Sequence, residues 1–335
     1  MKAIQIQAPG GLENLRVVDL PAPAAPGAGE IQVRVHASSL NFHDLLVASR
    51  GSTNSFGRIP MADGAGVVTA VGSGVTEFSV GDAVVSVFFP QWQSGRAVPT
   101  HFGSVPGDGV DGFARELVTL PVAAFTHAPK GYSHAEAATL TTAGLTAWRA
   151  LVADARIKAG DTVLTLGTGG VSVFALQMAK SMGARVIATT SSAAKAERLK
   201  ALGADHVINY KEIPEWGKAV QAATGGRGAD IVVEVGGAGT LAQSIRACAP
   251  GGHIAYIGVL TGVSGDVPLR EMMARQQTLR GLVVGSREQQ QDMVRALETF
   301  AWRPVIDRSW PLEQLADAFA YEKSGRHFGK LCLEY

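Results

Sequence analysis

Between residues 161 and 285, short apolar runs of strand character alternate with longer segments of helical periodicity, and this alternation restricts what the chain can fold into. Strand-like runs at 162–166, 185–189, 206–209, 231–235, 253–257 and 278–284 are separated by helical stretches at 171–182, 193–202, 215–223 and 240–247. Parallel neighbours need a long crossover between them, and strands covered by helices on both faces are apolar throughout, as these are. The pattern predicts an α/β fold built on a doubly wound parallel sheet.

The remainder of the chain follows a different period. Residues 1–120 read as short strands at 2–7, 16–20, 30–38, 66–71, 83–88 and 116–120, separated by Gly and Pro turns. At Ser133-His134-Ala135-Glu136 a Ser stands three residues before a Glu, the signature of a capping box, and predicts a helix running to about residue 152. Helices are expected at 288–300 and 312–324, with a closing strand at 330–334 that returns to the first domain. The 335 residues suggest two domains. These are expected to be 1–121 with 286–335, and 122–285. The segment 89–113 carries no assignable pattern.

Composition removes several classes of function. Thirty Lys and Arg face 29 Asp and Glu, a formal charge of +1 with no long block of either sign, so binding to nucleic acid or a membrane surface by bulk electrostatics is excluded. Only Cys248 and Cys332 occur, far apart, which allows neither a disulfide framework nor a Cys-based zinc cluster. There is no run of 18 apolar residues and no signal-peptide core in the first residues. A soluble cytoplasmic protein acting on a small molecule is expected, with no nucleic-acid or membrane partner.

The first strand and helix of the alternating region are joined by Gly167-Thr168-Gly169-Gly170-Val171-Ser172. Glycines at this place allow a tight turn and expose backbone N–H groups at a helix N-terminus to a pyrophosphate. Ser172 takes the third fingerprint position, where Gly is usual. With a second strand about twenty residues on and further units after it, the turn is read as a dinucleotide site. The second strand ends at Thr189-Thr190-Ser191-Ser192-Ala193-Ala194-Lys195, without the carboxylate that accepts from the ribose 2′-OH of NAD. Hydroxyls and a Lys there suit a 2′-phosphate, so NADP(H) is the expected cofactor. Ser191 and Ser192 serve equally as caps of the next helix. Tyr210, Gly236, Gly258-Val259-Leu260 and Gly285-Ser286-Arg287 lie at later strand ends, where such sheets bind ligands, and join the expected cofactor set. Arg287 also reads as a plain helix start. The last strand, apolar and at a sheet edge, is expected to pair with a second subunit in a homodimer.

The residues resemble the medium-chain dehydrogenase/reductases, and among them the zinc-free quinone-oxidoreductase-like branch. The resemblance rests on Leu40-Asn41-Phe42-His43-Asp44 followed by Gly51, on Asp63-Gly64-Ala65-Gly66 with Gly72 and Val80-Gly81-Asp82, and on Leu145-Thr146-Ala147-Trp148. It rests further on Gly160-Asp161, Leu202-Gly203-Ala204-Asp205 with Tyr210, and Gly325-Arg326-His327-Phe328-Gly329-Lys330, and so covers nearly the whole chain. It implies a GroES-like β-rich catalytic domain and a Rossmann domain, with hydride transfer in the cleft between them. In zinc-dependent relatives the catalytic metal is held at positions matching Asn41, Ala62 and Thr142, and none of these residues makes a zinc-binding set. The four-cysteine cluster of such relatives is absent from 89–113, so no metal is expected. A rebuilt site from His36, His43, Asp63 and His101 matches no ligand spacing. The tyrosine that many quinone reductases carry shortly after Asn41 is missing, and Phe88-Phe89-Pro90-Gln91-Trp92 resembles a loop of sequences called zinc-type alcohol dehydrogenases.

Without a metal, an acceptor already polarised by conjugation asks least of the protein, since hydrogen bonds to the oxygen gaining charge suffice. An NADPH-dependent, zinc-independent reductase of quinones or α,β-unsaturated carbonyl compounds is therefore expected. An alcohol or aldehyde dehydrogenase, or a weakly catalytic NADPH-binding protein, is the alternative. Asn41, at the active-site position the resemblance implies, is a candidate hydrogen-bond donor, or else the cap of a turn. His43 is a candidate proton donor, and Asp44 a candidate for positioning the nicotinamide side, or else a helix N-terminal charge. Thr142 and Thr146 are expected near the nicotinamide, and Trp92, His101 and Phe102 are candidates for lining the substrate pocket.

Overall fold

A computed structural model describes residues 1–50 and 56–335, so Gly51 of the first motif lies outside the described residues. The chain divides into two compact units, Met1–Leu145 with Val284–Tyr335, and Thr146–Val283.

In the first unit, β1 (Lys2–Ile6) and β2 (Leu15–Asp19) form an antiparallel pair. Then follow β3 (Glu30–Ser39), α1 (Phe42–Arg50), β4 (Ala65–Val71), β5 (Ala83–Ser86), β6 (Leu117–Pro121), β7 (Phe125–His127) and α2 (His134–Ala138). The alternation along β3 buries Ile31, Val33 and Val35 against Val68, Val84, Phe113 and Val118. Gly66 is required where β4 crosses β3, because a Cβ there would stand 1.9 Å from the Arg34 carbonyl oxygen.

The second unit carries α3 (Leu145–Trp148, from its boundary), β8 (Thr162–Leu166), α4 (Gly170–Ser181), β9 (Arg185–Thr190), α5 (Ala193–Ala201), β10 (His206–Asn209) and α6 (Trp216–Ala223). It continues with β11 (Ala229–Glu234), α7 (Ala238–Ala247), β12 (Cys248–Tyr256), α8 (Leu269–Ala274) and β13 (Thr278–Gly281). The strands lie in the order β10-β9-β8-β11-β12-β13, all parallel. The predicted doubly wound sheet is present, with β8 buried along its whole length. Truncating a core side chain such as Leu164 to Ala would cost about 2–5 kcal/mol.

The chain then returns to the first unit as α9 (Arg287–Leu297), β14 (Ile306–Pro311), α10 (Leu315–Lys323) and β15 (Lys330–Glu334). Its seven-stranded sheet runs β14-β15-β3-β4-β5-β7, with β6 also on β3. Cys332 pairs with Ser39 and Leu333 with Ser38, which brings the C-terminal strand alongside the start of α1.

Four local expectations are revised. Residues 122–145 pack with the first unit and not with the nucleotide-binding half, because β7 pairs with β5 and α2 lies over β3. The helix expected from 133 to 152 is capped by Ser133 as the motif predicts, but π-helical turns at Leu140–Gly144 and Arg149–Asp154 interrupt it. Around the first of them the Thr hydroxyls bond elsewhere, Thr139 to Glu136 O, Thr141 to Ser86 O and Thr142 to Asp63. The last Rossmann strand is short and largely exposed, ending at Gly281 instead of 284. Strand β14 was not legible, since an edge strand reading Ile-Asp-Arg-Ser-Trp-Pro has no apolar alternation. No helix among the described residues is long and apolar enough to cross a membrane.

Candidate active site

In the first unit, the end of β3, the first turn of α1, the loop at 62–64, the π-turn and β15 place a set of polar side chains together inside the protein. Asn41 precedes α1 and its carbonyl accepts the first helical bond, from Leu45 N at 3.2 Å. Its Nδ2 donates to Ser39 O at 3.2 Å and to Asp44 Oδ2 at 3.1 Å, while its Oδ1 accepts from Lys330 Nζ at 2.7 Å. An ammonium only donates and a carboxylate only accepts, so the amide has one orientation. Both of its hydrogens are engaged within the protein. The donor expected to face a substrate is thus a strut of a buried network.

Asp44, the third residue of α1, accepts from Asn41 N at 3.1 Å and from Ala62 N at 2.9 Å in addition. Burial pushes its carboxyl upward, while His43, these donors and Lys330 pull it back. Lys330 is 4% exposed, and its Nζ also donates to Leu40 O. Asp63 is fully buried. Its Oδ1 accepts from Thr142 Oγ1 at 2.5 Å, its backbone carbonyl accepts from Ser38 Oγ at 2.6 Å, and its Oδ2 has no hydrogen-bond partner. Burial, aided by the Asp44 charge, pushes the Asp63 carboxyl up to about 7 against the pull of Lys330 and Thr142. Ser86 at the end of β5 holds the loop, accepting from Gly64 N at 2.9 Å.

His43 acts on Asp44 through its charge and makes no hydrogen bond to this network. Its half-exposed ring pairs Nε2 with Asp108 Oδ2 at 3.5 Å and sets its edge against Phe88. Trp92 is nearly closed off, with Nε1 donating to Gly95 O at 3.0 Å, and packs against Phe89, His101 and Phe102 in an aromatic satellite core. Thr146 is buried.

At the zinc-ligand positions stand an amide, a methyl and a hydroxyl, from Asn41, Ala62 and Thr142. The residues of the alternative set are engaged separately, His36 stacked on His134, His43 on Asp108, Asp63 on Thr142 and His101 on Trp92. Among the described residues no group of three His, Cys, Asp or Glu is gathered so as to hold a metal. The donor set does not fit zinc.

In the second unit a glycine turn joins β8 to α4. Gly167 has φ +71°, and its N–H donates to Thr189 Oγ1 at 3.2 Å. A Cβ at Gly167 or Gly169 would meet no protein atom within 4 Å, so the face of this turn is open to a ligand. Gly169 is the N-cap of α4, whose first turn, Gly170-Val171-Ser172, carries the N–H groups that a helix leaves unpaired. Ser172 explains its departure from Gly, since its Oγ donates to Leu166 O at 2.6 Å and ties the helix to β8. Thr168 is buried beside it. At the end of β9, Ser192 caps α5 by accepting from Lys195 N, and Thr190 Oγ1 accepts from Ser192 N at 3.3 Å. Tyr210 is 40% exposed, and its N–H donates to Thr190 O at 3.0 Å. The open glycine turn at the N-terminus of α4 fits the pyrophosphate of a nicotinamide dinucleotide.

Sequence reasoning missed Glu234. It ends β11 fully buried, and Oε1 accepts from Gly236 N (2.7 Å), Gly237 N (3.0 Å) and Thr240 Oγ1 (2.7 Å), with Ser244 Oγ on Oε2. The signal was available as an acid closing an apolar run, with Thr and Ser four apart on the next helix. Gly258 serves close packing, since a Cβ would stand 2.1 Å from Val235 O, and it leaves Val259 and Leu260 exposed beyond it.

Gly285-Ser286-Arg287 is a correction. These residues belong to the first unit, where Ser286 caps α9 in a capping box with Gln289, a Cβ on Gly285 would crowd Gln289 and Leu145, and the Arg287 guanidinium pairs with Glu77 and donates to Phe125 O at 2.8 Å. A Gly-Ser-Arg after a strand looks like a phosphate cradle, but here the charge is already neutralised inside the protein.

Residues 27–130 match the family described as alcohol dehydrogenase GroES-like domain, and residues 170–301 match zinc-binding dehydrogenase. A zinc-type alcohol dehydrogenase-like protein of Schizosaccharomyces pombe is 39% identical over 97% of this chain and 96% of its own length. The chain belongs to the medium-chain dehydrogenase/reductase superfamily. A solved NAD-dependent alcohol dehydrogenase is 38% identical with TM-score 0.90, covering 100% of both chains. The quinone oxidoreductase of Pseudomonas syringae pv. Tomato DC3000 is 30% identical with TM-score 0.82, over 100% of this chain and 99% of that one. This dehydrogenase/reductase is an oxidoreductase of the quinone-oxidoreductase-like branch that uses a nicotinamide cofactor. Its GroES-like and Rossmann units are the two architectures that the sequence implied.

Proposed function

We propose that this protein is an NADPH-dependent, zinc-independent reductase of quinones or α,β-unsaturated carbonyl compounds. The observation that carries the reading is the replacement of a metal-ligand set by the buried Asn41, Asp44 and Lys330 network, with Asp63 and Thr142 beside it. Such a site offers the Thr142 hydroxyl and a proton but no Lewis acid, and it suits an acceptor that conjugation has already polarised.

When bound, the reduced nicotinamide supplies the hydride. The glycine turn at 167–170 and the first turn of α4 hold the pyrophosphate, with Val171 and Thr168 shaping the turn. Ser191, Ser192, Lys195 and Tyr210, with Thr190 beneath them, receive the 2′-phosphate, where no carboxylate repels it. Gly236 and Gly258 let the neighbouring strand-end loops approach, and Val259 and Leu260 give the cofactor's ring system apolar cover. Asn41, Asp44 and Lys330 fix the floor on which the acceptor is oriented, and His43, set against Phe88 and Asp108, lies at its edge. Strand β13 ends the parallel sheet, and Val263, Leu269 and Met273 nearby in the chain are exposed, which supports a homodimer.

The test follows NADPH and NADH oxidation by chelator-treated protein against quinones, enones, enals and enoyl thioesters. Turnover that survives chelation and prefers NADPH is expected. Turnover confined to an alcohol with added zinc would overturn the reading. Light scattering at micromolar concentration should return a dimer mass, and a monomer would remove the homodimer.

A further inference from the structure

Two buried carboxyls, Asp44 and Asp63, and the partly buried Glu322 face the ammonium of Lys330, and they are not hydrogen-bonded alike. Asp44 receives three N–H donors. Asp63 accepts the Thr142 hydroxyl on Oδ1, has the Asn41 amide beside it and has no hydrogen-bond partner on Oδ2, and Glu322, which also faces Lys330 and Asp44, has a buried Oε2 without a partner. A buried carboxylate oxygen without a donor is costly, whereas a protonated carboxyl is not. Protons on Asp63 and Glu322 leave Asp44 and Lys330 as one anion and one cation, so the cluster is neutral.

Of the two acids, Asp63 is the one closed to solvent, and it is the one hydrogen-bonded to Thr142. Thr142 is half-buried, and its hydroxyl meets Asp63 Oδ1 at 2.5 Å from within a π-helical turn, a local irregularity that recurs at functional sites. From this geometry we infer that Asp63 is the stored acid behind Thr142, and that the pair delivers the proton which must accompany hydride addition to the acceptor. The inference rests on the reductase reading. In the step, the Thr142 O–H bond breaks as an O–H or C–H bond forms on the reduced acceptor. For this the Thr142 hydroxyl turns from Asp63 to the acceptor and its Oγ takes the Asp63 proton from Oδ1; because Asp63 is closed to solvent, a solvent hydronium restores that proton through the same hydroxyl. Reduced cofactor supplies the electron pair, and the sum is hydride plus proton added to the acceptor. Asp63 acts through Thr142 and is a positioning residue that also holds a proton.

The groups facing Asp63 are Lys330 and Cys332 on β15, Asp44 on α1, Asn41 just before it, and Thr142, with Glu322 and His43 acting one contact further out. Burial sets its titration at about 7, in the range where an acid can both give and regain a proton.

Two arms test this. Infrared pH-difference spectra of the protein without cofactor should show protonated-carboxyl C=O intensity titrating near neutral pH, reduced in Asp63→Asn to the share that Glu322→Gln then removes, and displaced in Thr142→Val. NADPH oxidation with trans-2-hexenal and 1,4-benzoquinone is then followed from mildly acidic to mildly alkaline pH. For hexenal, kcat of Asp63→Asn and Thr142→Val should fall roughly 100-fold and lose its neutral inflection, with KM and the NADPH Kd held, and Thr142→Ser should recover the inflection. An unchanged band in Asp63→Asn, or a wild-type pH profile in folded Thr142→Val, overturns the inference. Wild-type protein that turns over neither probe overturns the reductase reading and the delivery step with it, while the infrared arm still decides whether Asp63 stores a proton.

Discussion

Lys330 donates to Asn41 Oδ1 at 2.7 Å across 289 positions of sequence, and both ends of this contact are closed to solvent. The contact exists because β15 pairs antiparallel with β3, so the last strand of the chain supplies the cation for the first turn of α1. An ion network buried to this degree contributes little net stability when complete, but it is costly to break by halves.

Lys330→Met should therefore be among the more damaging single changes in the first unit. It leaves Asp44 as a buried anion without its counter-charge and Leu40 O without its donor. A loss of about 3–5 kcal/mol is expected in urea unfolding. A loss under about 1 kcal/mol would mean that water or another cation replaces it.

Glu234→Gln tests the residue that sequence reasoning missed. The carboxylate accepts from two backbone N–H groups and two hydroxyls, and an amide nitrogen in its place would meet donors with a donor. About 1–3 kcal/mol should be lost for each donor left unpaired. NADPH affinity should fall together with stability, measured by fluorescence titration and urea unfolding on the same samples.

Cofactor preference resides at the end of β9. Lys195→Ala should weaken NADPH roughly 10-fold and leave NADH within about twofold, the loss of one charge-assisted contact to a 2′-phosphate. Ser191→Asp should go further and reverse the preference, because a carboxylate repels the phosphate and accepts from a ribose hydroxyl. Equal losses for both cofactors in Lys195→Ala would assign that residue to helix structure alone.

Stability should fall as pH rises from about 4 to about 7. Asp63 and Glu322 both hold folded values near 7, raised by burial above their ordinary carboxyl values of 3.8 and 4.5. The folded state therefore keeps protons that the unfolded chain has already released. Each group removes about 1.4 kcal/mol per pH unit across that window and nothing above it. Asp63→Asn and Glu322→Gln should each flatten the slope measured by chemical unfolding at a series of pH values.

Much of this was legible in sequence, and the illegible part has a consistent cause. The apolar runs of β8, β9, β10 and β11, the glycine turn, the capping boxes at Ser133 and the cap at Ser192 are local, because hydrophobic period and backbone capping act over a few residues. They determined the α/β class, the parallel sheet and the nucleotide turn. Tertiary structure decided the meaning of the polar residues. Asn41 looks the same in sequence whether its amide faces a ligand or Lys330, and Arg287 the same whether it meets a phosphate or Glu77, since the partner lies 289 and 210 positions away. The π-turn that carries Thr142 likewise follows from hydroxyl partners on β5 and beside β4, which no helical period encodes. Local pattern fixes where the backbone goes, whereas the charge and hydrogen bonding of a buried side chain depend on whatever the fold brings opposite it.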